Sequence, residues 1–163
     1  MNVCLFGASG MVGAGTLLEC LDDPRVASVL VVGRTPCGVK HPKVTEVLHR
    51  GFTDFTALTD RFRAIDACFF CLGVSSAGMT EQAYTAITYD VTVAAARALV
   101  AANRGMVFCY VSGSGTDSSE RGRTMWARVK GRTENALLAM GFRGAYMFRP
   151  GYIQPMRGVN SKT

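Results

Sequence analysis

A short glycine-rich turn near the start of the chain is the feature that most limits its fold. The turn has glycine at its first, fourth and seventh positions, follows the apolar run Val3–Phe6, and opens a helical pattern that begins at Met11. In that setting the free amides of the helix start converge on one point and favour a phosphate group. The pattern therefore predicts that a dinucleotide's diphosphate contacts the residues of the turn, which are Gly7, Ala8, Ser9, Gly10, Met11, Val12 and Gly13.

The three glycines have separate tasks in this prediction. Gly7 permits the tight turn, Gly10 lets the backbone approach the diphosphate, and Gly13 lets the helix pack closely on the strand. The alternative is a glycine-rich turn that holds no ligand.

Apolar runs alternate with helical patterns along the chain, without an internal repeat or a linker. The predicted strands are Val3–Phe6, Val29–Val32, Val44–Leu48, Ala67–Leu72, Met106–Val111 and Ala145–Phe148. The predicted helices are Met11–Asp22, Thr56–Arg63, Thr80–Asn103 and Thr124–Met140. Strands that are apolar throughout are typical of parallel sheets buried on both faces. The pattern indicates the α/β class, with a doubly wound parallel sheet and helices on both faces, a Rossmann fold, in one domain of residues 1–163.

The charge is unevenly distributed. The chain of 163 residues has a net charge of +6, but its last 43 residues hold nine Lys and Arg and a single acid, Glu134. This basic quarter is either a solvated surface or a site for a partner or a phosphorylated ligand. Because no basic run is interleaved with aromatic residues, no nucleic acid is expected as a partner.

The cysteines point to a reducing compartment. Cys68 and Cys71 form a C-x-x-C pattern, but residues three apart on a strand face opposite sides of the sheet, so a redox or zinc site is rejected and no metal is predicted. The start of the chain has no basic segment typical of a secretory signal, and no apolar run reaches the ~18 residues of a transmembrane segment. These features predict reduced thiols and a cytoplasmic location.

The loops after the second, third and fourth strands supply further candidates for cofactor binding. Twenty residues after Gly13, where an acid commonly binds the ribose, stand Gly33 and Arg34. Arg34 favours a 2′-phosphate and hence NADP(H) over NAD(H), unless its side chain only packs over the adenine. Asp54 either accepts a hydrogen bond from the adenine amino group or caps the following helix. Beside the middle of the cofactor we expect Leu72, Gly73, Val74 and Ser75.

Several segments, taken in order, resemble the atypical short-chain dehydrogenase/reductase family. They are the phosphate turn, CLGVSS (71–76), VSGSGT (111–116), MWARVKGRTEN (125–135) and FRPGYIQP (148–155). The combination is most similar to the NmrA-like or epimerase-like branch, the branch of the Tat-interacting-protein oxidoreductase. The family continues beyond the point that matches Thr163 with helices that close the substrate pocket, so this domain is expected to lack that extension.

The resemblance implies an active site with a Ser, a Tyr and a Lys, the Tyr four residues before the Lys on one helical face. Lys130 matches the Lys and is expected to hold the nicotinamide ribose, but Trp126 stands where the Tyr would be, and indole cannot exchange a proton. Ser112 or Ser114 would orient a carbonyl group. Trp126 either walls the substrate pocket or packs in the core.

The resemblance also implies roles for the segment after the sixth strand. Residues there would pass the nicotinamide carboxamide, and they are Pro150, Gly151, Tyr152 and Ile153. The sequence does not place the other tyrosine hydroxyls, so Tyr84, Tyr89 and Tyr152 are candidates for the missing proton donor, with Tyr89 expected in the substrate pocket together with Trp126.

Two functions fit these expectations. The first is an NADP(H)-dependent oxidoreductase that reduces or epimerises a small carbonyl compound or a nucleotide-linked sugar. The second is a catalytically weak or inactive NADP(H)-binding regulatory protein that acts through a protein partner, which Trp126 favours. A homo-oligomer is compatible with both.

Overall fold

Six parallel strands form one sheet that is covered by helices on both faces. The computed structural model describes residues 1–159, so residues 160–163 of the predicted domain lie outside the described residues. The strands are β1 (Asn2–Phe6), β2 (Ser28–Gly33), β3 (Val44–Leu48), β4 (Ala67–Phe70), β5 (Val107–Val111) and β6 (Gly144–Phe148). The helices are α1 (Met11–Asp22), α2 (Thr59–Phe62), α3 (Glu81–Thr85), α4 (Val91–Ala102) and α5 (Met125–Leu138).

The strand order is β3-β2-β1-β4-β5-β6, and every neighbouring pair is parallel. The order reverses direction between β1 and β4, where Cys4 pairs with both Leu30 of β2 and Cys68 of β4. In sheets of this kind the ligand crevice opens at the carboxyl ends of the strands beside that reversal. The predicted α/β class, parallel sheet and doubly wound topology are confirmed.

Alternating side chains divide the core into two layers. On one face Val3, Leu5, Val29 and Val31 pack against Leu17 of α1. On the other face a larger layer joins Phe6, Phe70 and Phe108 to α2, α4 and α5 through side chains such as Phe62, Leu99 and Leu137. Cys68 belongs to the larger layer and Cys71 packs against the smaller one, which confirms that the two thiols point to opposite faces.

The long predicted helix Thr80–Asn103 is interrupted. A π-helical turn, Ala86–Asp90, separates α3 from α4 and places Thr88 in the interior. The whole stretch Glu81–Ala102 is long and apolar enough to cross a membrane by length and composition alone. In this fold one face of the stretch packs into the larger core layer through Ala95, Ala96 and Leu99, and a third of the stretch is buried.

Other predicted bounds are close to those observed. The helix at Met11–Asp22 is confirmed, and the strands differ by at most two residues at either end. The predicted helix Thr56–Arg63 consists of a 3₁₀ turn, Thr56–Leu58, followed by α2. Helix α5 is shorter than predicted at both ends, since it runs from Met125 to Leu138.

The face of the sheet that carries α1 is less completely covered at β6. Tyr146 and Phe148 are 58% and 55% exposed, and they pair in register with Cys109 and Val111 of β5. Met147 points the other way and packs against the larger core layer. The last strand therefore presents two aromatic rings to solvent on one side.

Candidate functional site

The glycine turn lies at the carboxyl end of β1 and is built from close backbone contacts. Gly7 has a φ of +83°, and a Cβ there would lie 2.8 Å from the carbonyl carbon of Cys71. A Cβ on Gly13 would lie 2.1 Å from the carbonyl oxygen of Gly7, so the first turn of α1 rests on the loop. These positions need glycine for the conformation and for the contact.

The start of α1 is open to an anion. The Gly10 amide donates to the Gly7 carbonyl at 3.0 Å, and the Ala14 amide donates to the Gly10 carbonyl at 2.8 Å. No side chain in the described part of the chain caps the helix at Gly10. The amides of Met11, Val12 and Gly13 precede the first intrahelical bond, so they are free to donate to a phosphate. This geometry fits the diphosphate of a dinucleotide.

A cleft of about 300 Å³ continues from the turn toward β2. Its walls include Gly7, Ala8, Ser9, Gly33, Arg34, Thr35, Cys37, Phe52 and Leu72. The Arg34 guanidinium carbon lies 5.9 Å from the centroid of the Phe52 ring. The structure thus brings the phosphate turn, Arg34 and Leu72 together around one cleft and adds an aromatic wall.

Asp54 is engaged at the start of the next helical turn. Its Oδ1 accepts hydrogen bonds from the Thr56 amide at 2.9 Å and the Thr56 hydroxyl at 2.5 Å. These bonds hold the pKa of Asp54 below its ordinary value. Of the two roles predicted for Asp54, this geometry matches the capping role, and Phe52 rather than Asp54 lines the cleft.

The loop after β4 runs along the same edge of the sheet. Gly73, Val74 and Ser75 are exposed, and the Ser75 hydroxyl accepts a hydrogen bond from the Ala77 amide at 3.3 Å. Leu72 is half-buried in the wall of the cleft. Leu72 thus joins this loop to the cleft, and the contact of Gly73, Val74 and Ser75 with the middle of a dinucleotide stays a prediction.

The segments after β5 and β6 continue side by side. The Ser112 amide donates to the Phe148 carbonyl at 2.7 Å, and the Ser114 amide donates to the Pro150 carbonyl at 2.9 Å. The Ser112 side chain is buried with its hydroxyl 3.0 Å from that of Thr116, whereas Ser114 is exposed. Of the two candidate serines, Ser114 is therefore the more accessible.

Helix α5 presents Trp126 and Lys130 to the end of β5. A Cβ on Gly113 would lie 3.7 Å from the Trp126 ring, and one on Gly115 would lie 3.5 Å from it. Trp126 is half-buried over this glycine turn, and the Nζ of Lys130 lies 5.4 Å from the Tyr110 ring centroid. The Trp126 indole thus lies beside the Gly113–Gly115 turn, one helical turn before the Lys130 ammonium group.

Burial lowers the pKa of Lys130, and the nearby charge of Glu134 opposes that shift. Glu134 is itself 2% exposed and forms an ion pair with Arg149. The guanidinium Nε of Arg149 lies 3.0 Å from Oε1 of Glu134 and 3.2 Å from Oε2. Within residues 1–159, Lys130 forms no ion pair.

A second cleft, of about 520 Å³, lies between α1 and the ends of β4 to β6. Its walls are mostly apolar and include Val12, Phe69, Cys71, Cys109, Val111, Phe148, Pro150 and Ile153. Burial raises the pKa of Cys71 to about 11, so this thiol stays protonated at neutral pH. Pro150 and Ile153 are thus placed beside Val12 of the phosphate turn, while Gly151 and Tyr152 are exposed.

The other tyrosines lie away from the two clefts. Tyr84 is 2% exposed, Tyr152 is 83% exposed with its hydroxyl donating to Gln154 at 3.1 Å, and Tyr89 lies beneath the Arg132 guanidinium at 4.4 Å. Tyr89 lines neither cleft and its ring faces Arg132 of α5, so its place in a substrate pocket stays a prediction.

Part of the basic quarter is neutralised internally. Arg128 pairs with Glu81, Arg149 with Glu134, and Arg157 with Asp22.

Among residues 1–159, no group of three His, Cys, Asp or Glu side chains could hold a metal ion.

Sequence reasoning missed several residues of the site. Phe52 lies in the loop after β3, two residues before the predicted Asp54, and its large apolar side chain beside a polar loop was the available signal. The Glu134–Arg149 pair gave no signal, because the two residues belong to segments that only the fold brings together.

No protein-family model matches the sequence. The chain is 32% identical over 162 residues to "Protein fmp52-1, mitochondrial" of Aspergillus terreus, and 29% identical over 164 residues to "Protein fmp52, mitochondrial" of Aspergillus clavatus. Each alignment covers 96% of this chain and 68% of the relative. The predicted cytoplasmic location is contradicted by these relatives, which are named as mitochondrial proteins.

Solved structures share the fold at low sequence identity. A short chain dehydrogenase from Burkholderia cenocepacia, in complex with NADP, has a TM-score of 0.74 and 18% identity over 93% of this chain and 72% of its own. UDP-glucuronic acid 4-epimerase from Bacillus cereus, in complex with NAD, has a TM-score of 0.70 and 15% identity over 91% of this chain and 56% of its own. The fold is that of the NAD(P)-binding dehydrogenases and epimerases, while the NmrA-like branch stays a prediction.

Proposed function

The chain belongs to the family of the fungal fmp52 proteins, and from that premise we propose that it binds a nicotinamide dinucleotide, with NADP(H) preferred over NAD(H). The observation that carries the proposal is the open start of α1 beneath the turn formed by Gly7, Gly10 and Gly13. Three amides without intrahelical acceptors, at the point where the strand order reverses, suit a diphosphate. The neighbouring structures with bound NAD and NADP support the same class of ligand.

The preference for NADP(H) rests on Arg34. Its guanidinium lies at the edge of the cleft beside Phe52, and no acid stands at the end of β2 to bind a ribose 2′-hydroxyl. A guanidinium group binds phosphate through charge-assisted hydrogen bonds. The adenosine would lie in the 300 Å³ cleft, with Phe52 as an aromatic wall.

The nicotinamide end would lie toward α5 and the segment after β6. Lys130 would donate hydrogen bonds to the ribose hydroxyls, and Val12, Pro150 and Ile153 would give an apolar floor. When bound, the cofactor supplies or accepts a hydride. The exposed hydroxyl of Ser114 and the buried one of Ser112 are the candidates to orient a carbonyl group.

The proposed activity is that of an oxidoreductase acting on a small carbonyl compound or a nucleotide-linked sugar. Its proton transfer would need a donor other than Trp126, because indole does not titrate in the useful range. Ser112 and Ser114 orient a substrate without replacing that donor. A water molecule or a tyrosine from elsewhere in the chain would pass the proton instead.

A second candidate function follows from Trp126 itself. The indole is seated on Gly113 and Gly115, and the Ser112 hydroxyl is committed to Thr116. Trp126 leaves the site without the usual proton donor, and the bond to Thr116 withholds the Ser112 hydroxyl from a carbonyl group, while neither feature involves the phosphate turn. They favour a regulatory protein that binds NADP(H) and acts through a protein partner, with little turnover.

Calorimetric titration with NADPH and NADH tests the proposal directly. We expect the wild-type chain to bind both and to bind NADPH more tightly. Gly10→Leu should abolish binding, because the leucine side chain would occupy the position proposed for the phosphate. The variant should still fold, because a Cβ at residue 10 would meet only the Gly7 carbonyl oxygen, at 3.4 Å. Gly15→Leu is the matched control, since residue 15 is also in the first turns of α1 but its Cβ would meet nothing within 4 Å. Retained affinity in Gly10→Leu contradicts the assignment of the phosphate turn.

A further inference from the structure

Glu134 is a buried carboxylate at the junction of three elements. It is 2% exposed and lies on α5, one helical turn after Lys130. Both of its oxygens accept hydrogen bonds from Arg149, through Nε at 3.0 and 3.2 Å and through Nη2. A bidentate Arg–carboxylate pair fixes orientation as well as distance.

Because Arg149 is held by Glu134, the backbone of the segment that follows β6 is held as well. Its Nη2 also donates to the Ser118 hydroxyl at 2.6 Å, which ties it to the loop before α5. The next residue, Pro150, accepts a hydrogen bond from the Ser114 amide at 2.9 Å. Glu134 therefore holds the backbone from which Pro150 and Ile153 reach the apolar cleft.

Glu134 is also the carboxylate that acts on Lys130. The Lys130 ammonium lies over the Tyr110 ring of β5, with Nζ 5.4 Å from the ring centroid, and Glu134 lies one turn further along the same helix. The nearby Glu134 charge opposes the lowering of the Lys130 pKa by burial. Arg149 is paired with the same carboxylate.

We propose that Glu134 is a positioning residue of the cofactor site: its carboxylate holds the Arg149–Ile153 segment in place and sets its charge one helical turn from Lys130. This inference rests on the proposed function, because it concerns how the nicotinamide half of a dinucleotide is held. Glu134 itself is buried and touches neither cleft.

The proposal predicts that the two halves of the ligand respond differently to a change at Glu134. The adenosine half lies at the cleft between Gly7 and Phe52, which Glu134 does not touch. ADP carries that half and the diphosphate without the nicotinamide ribose. Affinity for ADP therefore reports the integrity of the fold and of the phosphate turn, and affinity for NADPH reports both halves.

The experiment compares NADPH and ADP binding by calorimetry for the wild type and Glu134→Gln. We expect Glu134→Gln to bind NADPH about tenfold more weakly, the scale of one lost charge-assisted contact, and to bind ADP within twofold of the wild type. The pH at which NADPH affinity declines on the alkaline side should move to lower pH, because Lys130 loses its supporting charge and gives up its proton earlier.

Arg149→Lys separates the two tasks of Glu134. It keeps a cation opposite Glu134 but loses the bidentate geometry, so NADPH affinity should fall while the alkaline decline stays where it is in the wild type. If Glu134→Gln does not fold, Glu134→Asp replaces it, with a shorter carboxylate that preserves charge and loosens Arg149.

The outcomes distinguish this proposal from the proposed function. A wild-type chain that binds neither ligand contradicts both. A wild type that binds both ligands, with Glu134→Gln weakening NADPH and ADP equally or leaving NADPH unchanged, contradicts only the role of Glu134.

Discussion

Gly131 of α5 and Asp117 of the preceding loop meet through their backbones. A Cβ on Gly131 would lie 1.8 Å from the Asp117 carbonyl oxygen, and the Asp117 amide donates to the Ala127 carbonyl at 3.0 Å. The loop that follows β5 is thus laid directly on the helix that carries Trp126 and Lys130. A side chain at residue 131 would have to push the two apart.

Gly131→Ala should therefore destabilise the protein by about 1–3 kcal/mol, the usual cost of overpacking. Gly15→Ala is the control, since its Cβ would meet nothing within 4 Å and alanine in a helix should add about 0.5–1 kcal/mol. Urea denaturation of the two variants measures the difference. Equal stabilities would show that the loop moves away from α5 without cost.

Arg34→Ala should change the choice of cofactor. Loss of the guanidinium removes the charged contact to a 2′-phosphate, so NADPH affinity should fall roughly tenfold or more. NADH has no such phosphate, and its affinity in the same variant should stay within twofold. Titration with both cofactors checks this, and an equal loss for both would mean that Arg34 only packs over the adenine and Phe52.

Trp126→Tyr should create a proton donor. The phenol would stand four residues before Lys130 on the same helical face, over the turn that contains Gly113. General acid catalysis contributes about 10²–10⁴-fold, so NADPH oxidation with a panel of aldehydes and ketones should rise by roughly 10²-fold over Trp126→Phe. The absorbance of NADPH follows the reaction. A panel in which the tyrosine and phenylalanine variants match would favour the regulatory function.

Lys130→Met should make the fold more stable near neutral pH while weakening cofactor binding. Burial lowers the pKa of Lys130 in the folded state below its ordinary value of 10.5, so the unfolded chain holds this proton more tightly. The free energy of unfolding of the wild type should consequently rise with pH between the folded and unfolded pKa values of Lys130. The variant lacks this titrating group and should not show that rise. The stability advantage of the variant should be largest below the folded pKa and disappear above about 10.5. Denaturation at several pH values tests the sign, and an advantage that grows with pH would contradict it.

The sequence predicted the elements that local pattern controls. Helix α1 has the predicted bounds, Met11–Asp22, because the glycine turn marks where it begins. The buried strands are visible in the sequence as continuous apolar runs. The π-helical turn at Ala86–Asp90 was not predictable, since the alanine-rich stretch around it favours an ordinary helix and the packing of this turn against α5 exists only in the fold.

The candidate site shows the same division between local and tertiary information. Glycine spacing identified the phosphate turn, and the position of Arg34 after β2 placed it at the cleft. Glu134 and Arg149 stand in two separate motifs of the sequence, and nothing in either motif links them, because their ion pair depends on how α5 packs beside β6. The cysteines failed as a guide to location, since free thiols indicate a reducing compartment without saying which one.

The two aromatic rings of β6 have a consequence for handling the protein. Tyr146 and Phe148 form an exposed aromatic patch on one flank of a basic molecule. Salting-out buffers strengthen the association of such apolar surfaces. We therefore expect this flank to contribute to retention on a phenyl column and to self-association in concentrated ammonium sulfate.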